Sequence, residues 1–343
     1  MKKHILGRNL VLILMVLFFV GLGCGSGKTE NKPLSKSVEK EDKPLSRQLE
    51  KVQSTYNKSP SSLKSLNVDI QDKAIYGKDD RLDYHAADME KKKAADSTVL
   101  LTNKSHLMKT GDGNYSLKTE TLYFDFKPPC KDEPFLDTQN VGGWCSGFLV
   151  GPDLVATAGH CVKTDEQAEN TAFVFGFRMD NVDTQVTKFP PNKIYWGKKL
   201  IAQKLNQSMD YAIVQLDREV TTPEAKVLKV RRNGSAISGA NVGVIGYPSG
   251  LPVKIAFGEE TIVIKNDGNF LMANLDTYGG NSGSAVFDKN IQQVEGILVR
   301  GNADYEVDST DDCYRSVRYD NNEGSEWVTK SAVFQHFIPP MKN

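Results

Sequence analysis

Cysteine is scarce and scattered, five residues in 343, with no CxxC pair and no cluster at zinc-ligand spacing. A domain built around structural zinc is excluded. Charge of one sign is missing as well. Lys+Arg and Asp+Glu each total 43, so a formal net charge of zero leaves no long-range field to hold a polyanion. No nucleic-acid partner is expected. The apolar run Leu10–Leu22 falls short of the roughly 20 residues that span a bilayer. There is no internal repeat of the kind that builds solenoids. What remains is a chain with 39% hydrophobic and 25% charged residues, long enough for one large or two modest domains, with part of its length outside the core.

Lys2, Lys3 and Arg8 followed by Leu10–Leu22 read as an export signal. Gly21-Leu22-Gly23-Cys24 resembles the cleavage and lipidation box of bacterial lipoproteins, with Gly21 where that box usually carries leucine. Residues 1–24 are therefore expected to be a lipoprotein-type signal, and a lipid on Cys24 would account for the odd cysteine. Residues 25–73 contain no Trp or Phe and no sustained apolar period. They read as a disordered tether or pro-segment. The stretch Gly23–Thr29 has the look of a phosphate-binding loop, but Leu22 stands at its first glycine and the signal stands where its strand should be. No nucleotide site is expected there.

After about residue 96 the texture changes to short apolar runs separated by Gly, Pro, Asn and Asp, such as 148–150, 154–156, 211–214 and 242–245. Helical periodicity is confined to the surroundings of 87–95 and to 331–338. The class is all-β with minor helix. Gly143–Val150, a turn at Gly151-Pro152-Asp153 and Leu154–Ala158 predict a hairpin that brings Cys145 near Cys161. In an oxidising compartment Cys130 and Cys313 are then the second pair.

Three residues can share one chemistry. His160, in Ala156-Thr157-Ala158-Gly159-His160-Cys161, follows a strand and is the candidate base. Ser282, in Gly279-Gly280-Asn281-Ser282-Gly283-Ser284, sits among small neighbours that let a substrate carbonyl approach the backbone. A serine hydroxyl needs an imidazole to activate it, and the imidazole needs a carboxylate to fix its tautomer. Asp210 opens the apolar strand Tyr211–Val214 and is the candidate; Asp217, in a charged turn, is the weaker one.

TAGHC, DYAIVQL and GGNSGSAVF in that order resemble the chymotrypsin/trypsin family of serine endopeptidases, in particular its bacterial glutamyl-endopeptidase branch. The resemblance implies two six-stranded antiparallel β-barrels with a short C-terminal helix over residues 74–343, the barrels meeting near residue 222. It implies His160, Asp210 and Ser282 as triad and the N–H groups of Gly280 and Ser282 as oxyanion hole. Asn281 stands where many animal relatives carry an aspartate that pairs with a new N-terminus, and an amide cannot form that ion pair. Ala74–Arg81 resembles the start of mature glutamyl endopeptidases, so a cut near Lys73 and an uncleaved arm are both open.

The same resemblance places Asp276, Thr277, Leu298 and Arg300 around the substrate pocket. Asp276 matches the pocket-floor aspartate of trypsin-like members, which would pair with a substrate Lys or Arg. Leu298 stands where glutamyl endopeptidases carry a carboxylate-holding histidine. Thr277 fits the glutamyl branch, and Arg300 is placed to neutralise Asp276 or to attract an acidic residue. The expected function is an exported endopeptidase, secreted or tethered to the envelope, acting on protein or peptide substrates as a monomer. Its only membrane contact would be a lipid on Cys24. The alternative is a non-catalytic binding lipoprotein on the same fold. No metal or organic cofactor is expected, and Asp79, Asp80 and Asp83 do not make a calcium loop.

Overall fold

The computed structural model describes residues 74–124 and 127–341. The segments read as a signal, the Cys24 box and the 25–73 tether or pro-segment lie outside the described residues. The described part opens with an arm carrying two short strands, β1 (Ile75–Tyr76) and β2 (Arg81–Asp83). Helix α1 (Met89–Ala95) follows where the sequence pattern predicts one. Its first turn is capped by the Asp88 side chain, which accepts the Lys91 amide at 3.0 Å, and Ala94 and Ala95 are its buried residues.

Six strands then close a barrel: β3 (Thr98–Asn103), β4 (Cys145–Gly151), β5 (Leu154–Thr157), β6 (Thr171–Phe175), β7 (Ile194–Asn206) and β8 (Met209–Leu216). Their spatial order is β7-β8-β5-β4-β3-β6. The hairpin β4–β5 pairs Gly147 with Thr157, Phe148 with Ala156 and Leu149 with Val155. Every residue of both strands is buried, which is why they read as runs instead of alternating. Between β5 and β6 lies a short helix the sequence reading did not foresee, α2 (Asp165–Asn170), capped by Thr164, whose hydroxyl accepts the Gln167 amide at 3.1 Å.

The second half is built from β9 (Val242–Gly246), β10 (Lys254–Ala256), β11 (Val263–Asp267), β12 (Phe270–Ala273), β13 (Ala285–Asp288) and β14 (Val294–Arg300). A hairpin of β15 (Tyr305–Asp308) and β16 (Cys313–Ser316) and the short β17 (Arg318–Tyr319) precede the last strand, β18 (Glu326–Lys330). The sheet runs β11-β12-β18-β14-β13-β9-β10-β2. An antiparallel bridge between Asn241 and Ile262, with the Val242 amide donating to the Thr261 carbonyl at 3.1 Å, brings the β9 end back to β11. That contact rolls the sheet into the second barrel, whose interior holds Val244, Val263, Leu271, Val286, Leu298 and Val328. Strand β2 extends its edge through β10, and β1 pairs in parallel with β17, so the arm is stitched to the second barrel at two places. The chain finishes in the short helix α3 (Ser331–Phe334) and a 3-10 turn, Gln335–Phe337. The all-β, two-barrel reading with a C-terminal helix holds.

Both cysteine pairs form. Cys145–Cys161 ties β4 to the segment after β5, and Cys130–Cys313 joins the 127–139 stretch to β16 across 183 residues.

Candidate active site

His160 lies three residues beyond β5, and Asp210 is the second residue of β8, the strand hydrogen-bonded to β5. The pairing of the strands carries the two side chains together. One carboxylate oxygen of Asp210 accepts the His160 backbone amide at 3.1 Å; the other lies 2.8 Å from His160 Nδ1. A carboxylate only accepts, so Nδ1 bears the hydrogen and Nε2 is left as the basic nitrogen. Both residues are buried, and the Asp210 carbonyl also accepts the Thr329 hydroxyl at 2.7 Å, fixing β8 to the second barrel. Asp217 stands elsewhere, accepting from the Trp196 amide at 3.0 Å and paired with Arg218.

Ser282 lies in the turn between β12 and β13 and is held against the first barrel. Its carbonyl accepts the Ser146 amide at 2.8 Å, and the sulfur of Cys161, the residue after His160, is 3.6 Å from the same oxygen. The serine segment and the histidine segment are thus neighbours, though 121 residues apart in sequence. Two glycines make this turn. Gly280 has φ +95° and Gly283 φ +91°, and a Cβ on Gly283 would sit 2.0 Å from the Ser146 carbonyl oxygen. Asn281 keeps its amide inside the turn, where its side-chain oxygen accepts the Ser284 hydroxyl at 3.2 Å.

Ser146, which sequence reasoning passed over, is a junction for the whole turn. Its hydroxyl donates to the Gly280 carbonyl at 2.8 Å and accepts the Tyr247 amide at 2.9 Å, while its carbonyl accepts the Thr157 hydroxyl at 2.7 Å. One buried serine therefore links the Ser282 turn, β5 and the segment after β9. Nothing in its local sequence marks it.

Each of the four residues assigned to the substrate pocket has partners of its own in the arm or in the second half of the chain. Asp276 is 3% exposed, and both its oxygens are engaged by the arm: the Tyr76 amide at 2.8 Å and the Asp80 amide at 2.7 Å. Burial pushes its carboxyl up to about 7, against the two amides, which favour the charged form. Its carboxylate is a tie for the arm. Thr277 donates its hydroxyl to Glu326 at 2.8 Å and its amide to the Ala74 carbonyl at 3.1 Å. Leu298 is buried among the aliphatic side chains inside the second barrel. The Arg300 guanidinium lies over the rings of Phe270 and Trp327, 4.9 and 4.7 Å from their centroids; burial lowers its pKa and the Asp210 charge opposes this.

Beside His160 a cleft of about 430 Å³ opens, lined by Asn103, Trp144, Cys161, Lys163, Gln167 and Thr171 among others. Cys145, His160 and Cys161 gather their ligand-capable atoms within 4.8 Å, but the two sulfurs are bonded to each other and are not available as thiolates.

Residues 145–297 match the model of the trypsin-like peptidase domain. Among curated proteins the chain is similar to a glutamyl endopeptidase of Bacillus licheniformis, 26% identical over 153 residues, covering 43% of this chain and 46% of that protein. It is also similar to a protein of Bacillus subtilis named extracellular metalloprotease, 23% identical over 184 residues, covering 52% and 58%. The chain spans about half the length of these two relatives. Among solved structures, a Glu endopeptidase in complex with MPD aligns over 77% of this chain and 97% of its own at 18% identity and a TM-score of 0.46. The motifs bearing His160, Asp210 and Ser282 all fall inside residues 145–297, the part of the chain that matches the trypsin-like peptidase domain.

Proposed function

We propose that this chain is a serine endopeptidase that hydrolyses peptide bonds through an acyl-enzyme on Ser282. The observation that carries the reading is the double hydrogen bond from His160 to Asp210, which leaves Nε2 as a base on the segment that abuts the Ser282 turn. Ser282 Oγ attacks the substrate carbonyl carbon while His160 Nε2 takes its proton. Asp210 holds the imidazole and stabilises the imidazolium that results. The oxyanion of the tetrahedral intermediate is received by the N–H groups of Gly280 and Ser282, each such donor contributing about 10²–10³ in rate. His160 then protonates the departing amine, and water, deprotonated by the same nitrogen, releases the acyl group and restores Ser282. The cleft beside His160 is where the chain on the leaving side would run.

The chain is exported, released or held at the envelope by a lipid on Cys24, with residues 25–73 as tether or pro-segment and 74–343 as the protease domain. The two disulfides fit an oxidising compartment. Lipidation is checked by globomycin-sensitive processing and by loss of membrane association in Cys24→Ala; a wild type found only in the soluble fraction contradicts it. Substrate class is tested by incubating the purified chain with a peptide library and sequencing the products. Internal cleavage that disappears in His160→Ala is expected, and a folded wild type that cleaves nothing in the library overturns the reading.

A further inference from the structure

Gly279 precedes the residue proposed as oxyanion donor, and it is held from both sides. Its amide donates to Asp304 Oδ2 at 2.7 Å, and its carbonyl accepts the Ser249 amide. The Ser249 hydroxyl in turn shares a hydrogen bond of 3.1 Å with the Tyr305 hydroxyl. The C=O and N–H of a trans peptide point in opposite directions, so fixing the Gly279 carbonyl on Ser249 fixes the Gly280 N–H on the other side. Ser249 has φ +52°, a conformation that a serine keeps only where its surroundings hold it.

Behind this contact stands the β15–β16 hairpin, which is itself anchored. Cys313 at the start of β16 is bonded to Cys130, the Ser316 amide donates to Glu133 at 2.8 Å, and Phe124 packs on the rings of Tyr305 and Tyr314 at 4.6 and 4.9 Å. The Asp304 carbonyl accepts the Val317 amide at 2.8 Å, and Tyr278, next to Gly279, meets the Tyr305 ring at 4.7 Å and hydrogen-bonds the Ser316 hydroxyl. A disulfide 183 residues in span thus ends in a carboxylate on the Ser282 turn.

We infer that Asp304 is a positioning residue of the active site: it holds the Tyr278–Gly279 peptide while Ser249, backed by Tyr305, holds the Gly279–Gly280 peptide, and together they fix Gly279 in the orientation that aims the Gly280 N–H at the developing oxyanion. The inference rests on the proposed peptidase function, and it assigns the β15–β16 hairpin and the Cys130–Cys313 bond a role in that chemistry. Asp304 touches neither substrate nor reacting atoms. Its effect passes through the Tyr278–Gly279 peptide and the backbone of Gly279 to the Gly280 N–H.

The experiment compares the wild type, Asp304→Ala and Asp304→Asn, the last retaining a side-chain oxygen that can accept the Gly279 amide. For a peptide substrate, Asp304→Ala is expected to lower kcat by about ten- to a hundredfold with KM within about twofold, because the loss falls on transition-state stabilisation. The affinity for a peptide aldehyde, whose hemiacetal presents the oxyanion, should fall by the same factor. Asp304→Asn should recover most of both. Unchanged kcat and aldehyde affinity in Asp304→Ala, or equal losses in both variants, overturns the inference. Hydrogen exchange of the Gly279 and Gly280 amides, read on glycine-labelled protein, separates this from failure of the peptidase reading. If the folded wild type hydrolyses nothing, that reading falls, while the clamp still predicts Gly279 protection in the wild type and Asp304→Asn and its loss in Asp304→Ala. Equal protection in all three contradicts the clamp.

Discussion

His160 gives both its backbone amide and its ring Nδ1 to the same carboxylate, that of Asp210, at 3.1 and 2.8 Å. The amide contact fixes where the residue begins and the ring contact fixes which way the imidazole faces. A carboxylate serves both donors; an amide side chain has one acceptor for them and offers N–H to the other. Asp210→Asn should therefore leave the fold intact and cut kcat by about 10⁴-fold, with KM little changed, by disturbing the tautomer and orientation of the base. Steady-state kinetics on a peptide ester checks this. A loss of less than tenfold would show that the Asp210 contact is not part of the chemistry.

Gly283→Ala is expected to be more severe than its one methyl implies. The backbone stands at φ +91°, and the added carbon would lie 2.0 Å from the Ser146 carbonyl oxygen, part of the buried strand β4. Neither side can yield cheaply, so a stability loss of about 2–3 kcal/mol is expected together with loss of activity. Thermal denaturation and hydrolysis rates measure the two. Wild-type values for both would mean that the turn relaxes without consequence for Ser282.

The arm should make stability depend on pH through Asp276. Its carboxyl, buried against the Tyr76 and Asp80 amides, titrates at about 7 where the ordinary value is 3.8. The folded state thus holds this proton more tightly than the unfolded chain does. The contribution to stability is fully present below about pH 4 and is lost as pH rises through about 7. Asp276→Asn removes the titration. The melting temperature of the wild type minus that of Asp276→Asn should fall between pH 4 and 7 and level off above it. A difference that is flat or rises over that range contradicts the assignment.

The residues proposed as a triad were legible because each sits in a short motif, and because the β4–β5 hairpin could be read from its turn and its flanking apolar runs. The disulfides followed from that hairpin and from the count of cysteines. What could not be read is what comes from afar. Asp276 stands at a position that elsewhere marks a pocket floor, but the amides that take its oxygens lie 200 and 196 residues upstream. Leu298 belongs to the barrel interior because of strand alternation within β14, which a resemblance at one position does not reveal. Ser146 carries no local signal, since its partners come from three separate stretches of chain. Asp304 is likewise an acidic residue in a loop until the hairpin behind it folds.

A serine made nucleophilic by a histidine held on a carboxylate, as proposed for Ser282, is acylated by a fluorophosphonate. Intact-mass measurement of the folded chain after exposure to a fluorophosphonate, followed by peptide mapping, tests that assignment most directly. A single adduct on the peptide bearing Ser282 is expected, absent from Ser282→Ala and reduced to background in His160→Ala. A folded wild type that takes up no probe, or a Ser282→Ala variant that is still labelled, would contradict it.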